Sequence, residues 1–528
     1  MASRERMSNV DTAWLRMDRP TNLMQIIGVM LFKGQLDYGR LRATIEQRML
    51  KFRRFRQLVV AEGSGYVWQD DPDFDLDRHL HRELLPAPGG KTELQHYLAD
   101  LASQPLNPSR PLWEFRLVDT TIGGQALVMR LHHSIADGIA MVGVILSMAD
   151  DSPDRAGQAA PAVADEANEE AREGEGDDPF WETLWGPVSD AKTASLRLAA
   201  SLRDKYQDLV QNPVKVLDYA RVAGAIAGEV AKLAIMPDDS HTRLKGRPGA
   251  AKRVAWSEAL PLPHIKDVGK VLGCSVNDLL LSAAAGAIRA YLVDKGDDVE
   301  GVEIRAMVPV NMRRPKDAGK LGNRFGLVAV ELPVGIENPL ARLYATRARM
   351  EELKSSYQAA LTLSILGLVG MAPHFVQEQV LDLLASKATA VMTNVPGPKS
   401  ALYLAGAKLA EPLFWVPQSG NIGIGVSILS YDNRVQFGLI TDRKLVPDPE
   451  RIVERFAGEF EKLLLLVLME PVERLADPHS VEAGLARRPA RSIAVRKPGP
   501  PPAAGARRAR SKRAAAVAVD PADGAKTG

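Results

Sequence analysis

Seven consecutive residues have the clearest chemical potential in the chain, His132-His133-Ser134-Ile135-Ala136-Asp137-Gly138. They follow an apolar run of strand length, Gln125 to Leu131, and precede apolar residues at helical spacing, so the histidines end a strand and Asp-Gly turns into a helix. A neutral imidazole there can take a proton from a hydroxyl or a thiol, because its pKa normally lies near neutrality. Neighbouring strand residues point to opposite faces, so only one histidine readily faces a given cleft. A core histidine beside a tight turn is an equally open interpretation of the pair alone.

The composition excludes several classes of protein. The chain has 528 residues, 46% of them hydrophobic and 5% aromatic, which predicts two to four domains or two large ones and disfavours base-stacking surfaces for nucleic acid. One cysteine, Cys274, excludes a disulfide framework or a cysteine-based metal site and fits a reducing, cytoplasmic setting. We find no metal-ligand cluster, no G-x-G-x-x-G after a strand and no P-loop, so no metal or bound cofactor is expected.

The sequence indicates a soluble or peripheral protein. Residues 1–11 are polar and charged and lack the apolar core of a signal peptide. The longest uncharged apolar stretches, such as Leu361 to Pro373 and Leu463 to Met469, are too short to span a membrane as helices.

Two segments carry most of the charge asymmetry. Residues 150–178 hold eleven acids and two arginines, and residues 487–513 hold ten Lys or Arg and no acid. Both are rich in Ala, Gly and Pro, so we predict a disordered acidic linker at 151–190 and a disordered basic tail at 476–528. The tail could contact anionic lipid or nucleic acid, but a solubilising role is favoured because it lacks a periodic apolar face.

Periodicity predicts two α/β blocks with mixed sheets, residues 1–150 and 251–475, with a cleft between them. A helical connection, residues 191–250, follows the acidic linker. The predicted strands are 25–32, 114–118, 125–131, 303–310 and 326–332, with short strands in 57–68 and a hairpin of 422–430 with 434–440; the predicted helices are 38–51, 92–103, 275–294 and 339–355.

A set of further motifs is spread along both blocks, from about Ser8 to Leu475. They are Asp11-Thr-Ala-Trp14, Pro72-Asp-Phe-Asp75 with His79, Pro111-Leu-Trp113, Asn277-Asp278, Pro309-Val-Asn-Met-Arg313, Gly322-Asn-Arg-Phe325, Thr393-Asn-Val-Pro-Gly-Pro398 and Gly438-Leu-Ile-Thr-Asp442 before Pro447-Asp448. With the histidine motif, these residues resemble the bacterial wax ester synthase/acyl-CoA:diacylglycerol acyltransferase family. That family lies in the superfamily of chloramphenicol acetyltransferase and condensation domains. One departure is Leu279-Leu-Leu-Ser282, where the family often has a Val/Ala-rich stretch.

The resemblance implies two chloramphenicol-acetyltransferase-like subdomains with the active site at their interface. It also implies that His133 is the general base, that Asp137 holds the loop through an arginine, for which Arg305 is a candidate, and that His132 packs inward. Gly138 is expected to permit a tight turn. A positioned base contributes roughly 10²- to 10⁴-fold. By this interpretation, His133 deprotonates an acceptor hydroxyl that attacks the thioester of acyl-CoA, then returns the proton to the CoA sulfur.

The other candidate residues keep two interpretations each. Asn277 is either an oxyanion or substrate contact or a helix cap, and Asp278 is expected to cap the same helix. Trp113 fits the core better than a substrate wall. The Thr393 to Pro398 loop is expected to border the cleft, and Cys274 has no local base that would make it a nucleophile.

The implied substrates are acyl-CoA, as co-substrate, and diacylglycerol or a long-chain alcohol, which need an apolar groove. We therefore expect a cytoplasmic enzyme, peripheral on the inner membrane or lipid droplets, with Leu196 to Ile235 or Leu361 to Val380 as the contacting segment. A related transferase with a carrier-bound donor or polyketide-type alcohol, and a non-catalytic lipid-surface protein, are the alternatives. Acceptor preference, acyl-chain length and oligomeric state do not follow from the sequence.

Overall fold

The computed structural model describes residues 4–63, 65–154, 238–311, 321, 323, 325–354, 383 and 386–487. The predicted acidic linker beyond residue 154, the helical connection up to residue 237, the Leu361 to Val380 segment and the basic tail beyond residue 487 lie outside these ranges.

The first block contains seven strands and four α-helices among the described residues. In chain order these are β1 (Arg4–Arg6), α1 (Asn9–Arg16), β2 (Gln25–Lys33), α2 (Tyr38–Thr44), β3 (Gln57–Glu62), β4 (Gly65–Asp70), β5 (Leu80–Leu84), α3 (Lys91–Ala102), β6 (Trp113–Asp119), β7 (Gln125–His132) and α4 (Gly138–Met148). The predicted elements of this block are present. The helix predicted at 38–51 is divided, since α2 continues into a π-helical turn, Ile45–Met49.

The second block follows the same mixed plan. Its elements are β8 (Lys252–Trp256), β9 (Leu260–Pro261), α5 (Leu262–Leu272), α6 (Val276–Asp294), β10 (Ile304–Asn311), β11 (Phe325–Leu332), α7 (Pro339–Lys354), β12 (Ala390–Pro396), β13 (Tyr403–Leu404), β14 (Ala407–Trp415), β15 (Ile424–Tyr431), β16 (Arg434–Asp442), α8 (Glu450–Met469), α9 (Val472–Leu475) and α10 (Pro478–Arg487). The predicted hairpin is β15–β16, and Asp432 and Asn433 adopt the positive φ angles that its two-residue turn requires.

Two large mixed sheets form the framework. The six-stranded sheet has the order β13-β14-β2-β7-β6-β5, with β5 and β6 parallel. The seven-stranded sheet has the order β11-β10-β12-β15-β16-β8, with β9 also paired to β16, and β12 runs parallel to both its neighbours. These mixed sheets with packed helices confirm the predicted α/β fold class.

Sheet membership crosses the predicted boundary between the blocks. Strand β14 pairs with β2 in the first sheet, with Trp415 opposite Ile27. Leu413 and Trp415 share an apolar cluster with Val29 and with Trp256 from the second sheet. The apolar alternate residues of β14 therefore join the two sheets in one packed unit, while the boundary at residue 251 stays a prediction.

Three short segments differ from the sequence predictions. Thr393 to Pro396, expected as part of a loop, belongs to strand β12 and pairs with β15. Residues 478–487 form α10 instead of disordered chain, because Val481 is buried in the second core and Asn338 Nδ2 donates to the Pro478 carbonyl. Residues 238–250 are not helical; Arg305 N donates to the Asp239 carboxylate, which holds this stretch beside β10.

Within the described ranges, one helix, α6, is long and apolar enough to cross a membrane. Its most apolar window is 72% buried, and it lies at the centre of the second core. Ser275 and Asp278 form a capping box at its start, which fixes where the helix begins.

Candidate active site

The histidine motif forms a tight loop between β7 and α4. Strand β7 ends at His132, and the Asp137 carboxylate accepts a hydrogen bond from Ala140 N at 2.9 Å as the N-cap of α4. A Cβ at position 138 would make an ordinary contact, 3.8 Å from Phe414, and the backbone there is not left-handed, so the expected role of Gly138 in the turn stays a prediction. The Asp137 cap shapes the start of α4.

His133 is held between two aromatic rings. Its ring stacks on Trp14 with centroids 4.1 Å apart, and Phe325 lies 5.7 Å away on a tilted plane. Its backbone N–H donates to the Met24 carbonyl at 2.8 Å, and its carbonyl accepts from Asn323 Nδ2 at 2.8 Å. The residue is 3% exposed, so both its backbone and its ring are fixed by protein.

His132 is the last residue of β7, and its ring makes hydrogen bonds within the following loop. Its Nδ1 is 2.8 Å from Ser134 Oγ and accepts the Ser134 N–H at 3.1 Å. That bond puts the ring proton on Nε2, which lies 4.0 Å from Asp18 Oδ2. Inward packing of His132 is thus the arrangement in the structure.

Both imidazoles are neutral at physiological pH. Burial lowers the pKa of His132 to about 3 and that of His133 to about 4, since a buried cation loses its hydration. The negative charge of Asp137 opposes this effect at His133 and raises its pKa in part. His133 can therefore accept a proton.

His133 lines a cavity at the place where the two sheets meet. The apolar lining comes from Met307, Leu327, Val391, Phe414, Val416 and Ile422. Polar groups enter the lining at four further positions, Asp137, Thr393, Asn394 and Ser419. An apolar space with few polar groups suits a hydrocarbon chain.

Asn277 and Asp278 lie at the start of α6. Asp278 caps the helix, since its carboxylate accepts from Ser275 N at 2.9 Å. The Asn277 Oδ1 accepts a hydrogen bond from Asn394 Nδ2, and Asn394 is the member of this pair that lines the cavity. Asn277 therefore orients a cavity residue, and its direct contact with substrate stays a prediction.

Trp113 lies in the core under the first sheet. Its indole N–H donates to the Phe55 carbonyl at 2.8 Å, and its ring stacks on His79 at 4.5 Å. It is 2% exposed and is not part of the cavity lining. This placement favours the core interpretation over a substrate wall.

The described contacts of Arg305 lie at the edge of the second sheet. Its guanidinium donates to the Lys387 carbonyl and to Glu331 Oε1, both at 2.9 Å. The ion pair of Asp137 with an arginine stays a prediction, and Arg313 of the same family motif lies outside the described residues.

Cys274 is buried at the end of α5. Burial raises the pKa of its thiol to about 11, so a thiolate is disfavoured. Among the residues that the structure describes, no three His, Cys, Asp or Glu side chains converge as metal ligands.

Sequence reasoning assigned no role to Trp14, Asn323, Phe325 or Asn394, although each belongs to a motif that carries the family resemblance. Three of them contact His133 directly, and the fourth lines the same cavity. The signal was their membership of those motifs, but sequence spacing could not show which of them meet.

Comparisons with known proteins agree with this architecture. A probable diacylglycerol O-acyltransferase of Mycobacterium tuberculosis is 27% identical over 440 residues, which is 82% of this chain and 89% of that protein. The solved wax ester synthase/diacylglycerol acyltransferase from Marinobacter aquaeolei VT8 superposes with a TM-score of 0.63 at 21% identity, covering 88% of this chain and all of that one. The first condensation domain of the calcium-dependent antibiotic synthetase has a TM-score of 0.51 at 13% identity over 90% of this chain and 97% of its own.

Family models match most of the described chain. The model of the wax ester synthase/diacylglycerol acyltransferase catalytic domain matches residues 7–280, which include Trp14 and the His132–Gly138 motif. The model of the C-terminal domain of the same family matches residues 321–464, which include Asn323 and Asn394. Residues of both matched regions line the same cavity. The chain belongs to the wax ester synthase/diacylglycerol acyltransferase family.

Proposed function

We propose that this chain transfers a long-chain acyl group from acyl-CoA to the hydroxyl of diacylglycerol or of a fatty alcohol, with His133 as the general base. The observation that carries the proposal is a neutral, fixed imidazole in the wall of an apolar cavity between the two sheets.

The chemistry requires one proton carrier. His133 removes the proton from the acceptor hydroxyl as its oxygen attacks the thioester carbonyl, and the C–O bond forms. Collapse of the tetrahedral intermediate breaks the C–S bond, and the imidazolium returns the proton to the CoA sulfur. No acyl-enzyme is formed, and the protein ends in its starting state.

The cavity lining supports this reaction in two ways. Its apolar side chains favour an acyl chain and exclude bulk water, which would otherwise compete as the acceptor. Asn394 and Thr393 are the polar groups on the wall supplied by β12, and the side chain of Asn394 is oriented by Asn277. Asn394 is our candidate for a hydrogen bond to the developing oxyanion.

We further propose that the enzyme works in the cytoplasm, peripheral on the inner membrane or on lipid droplets. Supporting this, four large apolar side chains are more than half exposed at the end of α8 and the start of α9, namely Leu465, Leu468, Met469 and Val472. Flotation with diacylglycerol-containing vesicles tests the idea, and failure of the full chain to float would contradict it.

The decisive experiment supplies purified protein with labelled palmitoyl-CoA and equal amounts of diacylglycerol and hexadecanol. We expect labelled triacylglycerol, wax ester or both, and a loss of roughly 10²- to 10⁴-fold in His133→Ala. The matched control is His96→Ala, an exposed histidine on α3. An unchanged rate in His133→Ala refutes the mechanism, and no product with either acceptor favours a carrier-bound donor.

A further inference from the structure

Among the described residues, no carboxylate accepts a hydrogen bond from Nδ1 of His133, the contact that orients many catalytic histidines. This Nδ1 is buried without a hydrogen-bond partner among the described residues. Other contacts must therefore fix the position of the imidazole ring. The backbone and the two flanking aromatic rings are the contacts that remain.

We propose that Asn323 and Asp11 are positioning residues for His133, and that they hold the base in place through its backbone carbonyl. The inference rests on the proposed function of His133 as the base. Asn323 Nδ2 donates both its hydrogens, one to Asp11 Oδ1 and one to the His133 carbonyl, each at 2.8 Å. One amide nitrogen thereby ties together three segments of the chain.

The two hydrogen bonds that Asn323 donates require an amide at this position. Both partners are acceptors, so the residue between them must supply two N–H donors from one atom. A carboxylate there would face another carboxylate and a carbonyl oxygen, and an alanine would remove this donor from both buried acceptors. Burial raises the pKa of Asp11, while the hydrogen bond from Asn323 opposes that effect by favouring the charged form.

The same two segments also supply the rings on either side of the base. Asp11 and Trp14 are three residues apart on α1 and so lie on one helix face. Asn323 and Phe325 are two residues apart at the entrance to β11, and both contact His133. The hydrogen bonds between the segments thus fix the spacing of the aromatic rings as well as the backbone of His133.

This arrangement predicts an effect on turnover with little effect on binding. Neither Asp11 nor Asn323 lines the cavity, so substrate affinity does not depend on them directly. Proton transfer is sensitive to geometry, and a misplacement of about 1 Å costs on the order of 10²-fold. We expect Asn323→Ala to lower kcat by roughly 10- to 100-fold and to leave KM for both substrates within about twofold.

A reciprocal exchange separates positioning from general stability. In the double variant Asp11→Asn with Asn323→Asp, the amide at position 11 can donate to the carboxylate at position 323, but the His133 carbonyl loses its donor. We expect the Tm of the double variant to lie closer to the wild-type value than the Tm of either single variant, while kcat stays low. Recovery of kcat together with Tm would overturn the proposal.

The control for the loss of a bridging amide is Asn338→Ala, at a half-buried position. Asn338 also bridges two segments, since its Oδ1 accepts from Leu340 N and its Nδ2 donates to the Pro478 carbonyl. It lies away from the cavity, and kcat per folded molecule should be unchanged. A loss in Asn323→Ala no larger than in this control, or a loss confined to KM, would also overturn the proposal.

His133→Ala in the same assay keeps the two proposals distinguishable. If it retains full activity, the proposed function fails and the role of Asn323 fails with it. If it is inactive while Asn323→Ala is fully active, only the positioning role fails.

Discussion

Two polar joints connect the N-terminal segment to later parts of the chain, and they differ in their central group, which is a neutral amide in one and a lysine in the other. The cavity joint consists of Asp11, Asn323 and the His133 carbonyl, and its central group is a neutral amide. The ionic joint consists of Asn22, Lys252 and Asp442. Lys252 Nζ lies 3.2 Å from Asn22 Oδ1 and 3.5 Å from Asp442 Oδ2, with both charged side chains buried.

The difference follows from what lies beside each joint. A full charge next to a titrating histidine shifts its pKa by an amount that depends on small changes in distance. At the cavity joint the group that contacts the His133 backbone is a neutral amide, and the Asp11 carboxylate is bonded to that amide and not to His133. The ionic joint includes no residue of the cavity lining, so its buried charges act on the stability of the fold and not on the pKa of His133.

The largest effect on stability should come from breaking the ionic joint. Asp442→Ala leaves Lys252 as a buried charge without its carboxylate, and removing one partner of a buried pair costs about 3–5 kcal/mol. Lys252→Met should cost less, because Asp442 keeps hydrogen bonds from Gly249 N at 2.8 Å and Lys444 N at 3.0 Å. Denaturant unfolding measures both values.

Activity per folded molecule distinguishes the joints. We expect kcat of Asp442→Ala to stay within about twofold of the wild type at a temperature where the variant is folded, in contrast to the cavity-joint variants. A kcat loss as large as that of Asn323→Ala would show that the two joints do not differ in function.

The pH dependence of stability should reveal the neutral histidines beside the cavity joint. The folded pKa values of His132 and His133, about 3 and about 4, lie below the ordinary value of 6.5. The unfolded chain therefore binds more protons below pH 6.5, so this stability is complete above that pH and is lost as the pH falls towards 4. The slope is about 1.4 kcal/mol per pH unit for each fully coupled histidine.

Unfolding free energies at pH 7, 6 and 5 check this sign. His132→Asn keeps an acceptor for the Ser134 N–H through its Oδ1 and should remove the share of the slope that His132 contributes. His96→Asn, on an exposed helix face, is the control and should leave the slope unchanged. An equal slope in both variants would contradict neutral burial of His132.

Substitution of Trp14 tests the aromatic ring that stacks on His133 beside the cavity joint. Trp14→Leu removes the ring stacked on His133, and aromatic pairs contribute about 0.5–1.5 kcal/mol, so we expect kcat to fall by about two- to tenfold. Trp14→Phe should recover most of that loss. Leu15→Ala on the same helix, which packs against the core and not against His133, controls for general loosening of α1.

How far the sequence predicted this molecule depends on the distance over which the information acts. Strands such as Gln25–Lys33 and the β15–β16 hairpin follow from local periodicity and turn chemistry. The pairing of β14 with β2 does not, because Ala407–Trp415 carries Lys, Glu and Pro and was not among the predicted strands. Local rules therefore place strongly periodic elements, but they do not choose the neighbours of those elements.

The features of the site also divide into those that the local sequence predicts and those that depend on long-range contacts. The loop containing His133 and the capping role of Asp278 were accessible from motif and spacing. The contact of Asn323 with His133 joins residues 190 positions apart, and no periodicity encodes such a contact. The expected role of Gly138 in the turn stays a prediction, since a Cβ there would make an ordinary contact.

The smallest expected effect concerns Trp113, which belongs to neither joint. Trp113→Phe keeps an aromatic ring beside His79 and loses the hydrogen bond to the Phe55 carbonyl, so stability should fall by about 0.5–1.5 kcal/mol. Because the indole is buried under the first sheet and outside the cavity, kcat and both KM values should not change. Denaturant unfolding curves measure the stability, and steady-state kinetics on the same preparation measure kcat and KM. A selective rise in KM for acyl-CoA would instead place Trp113 in a substrate wall and would mean that the acyl-binding space extends beyond the cavity lined by His133.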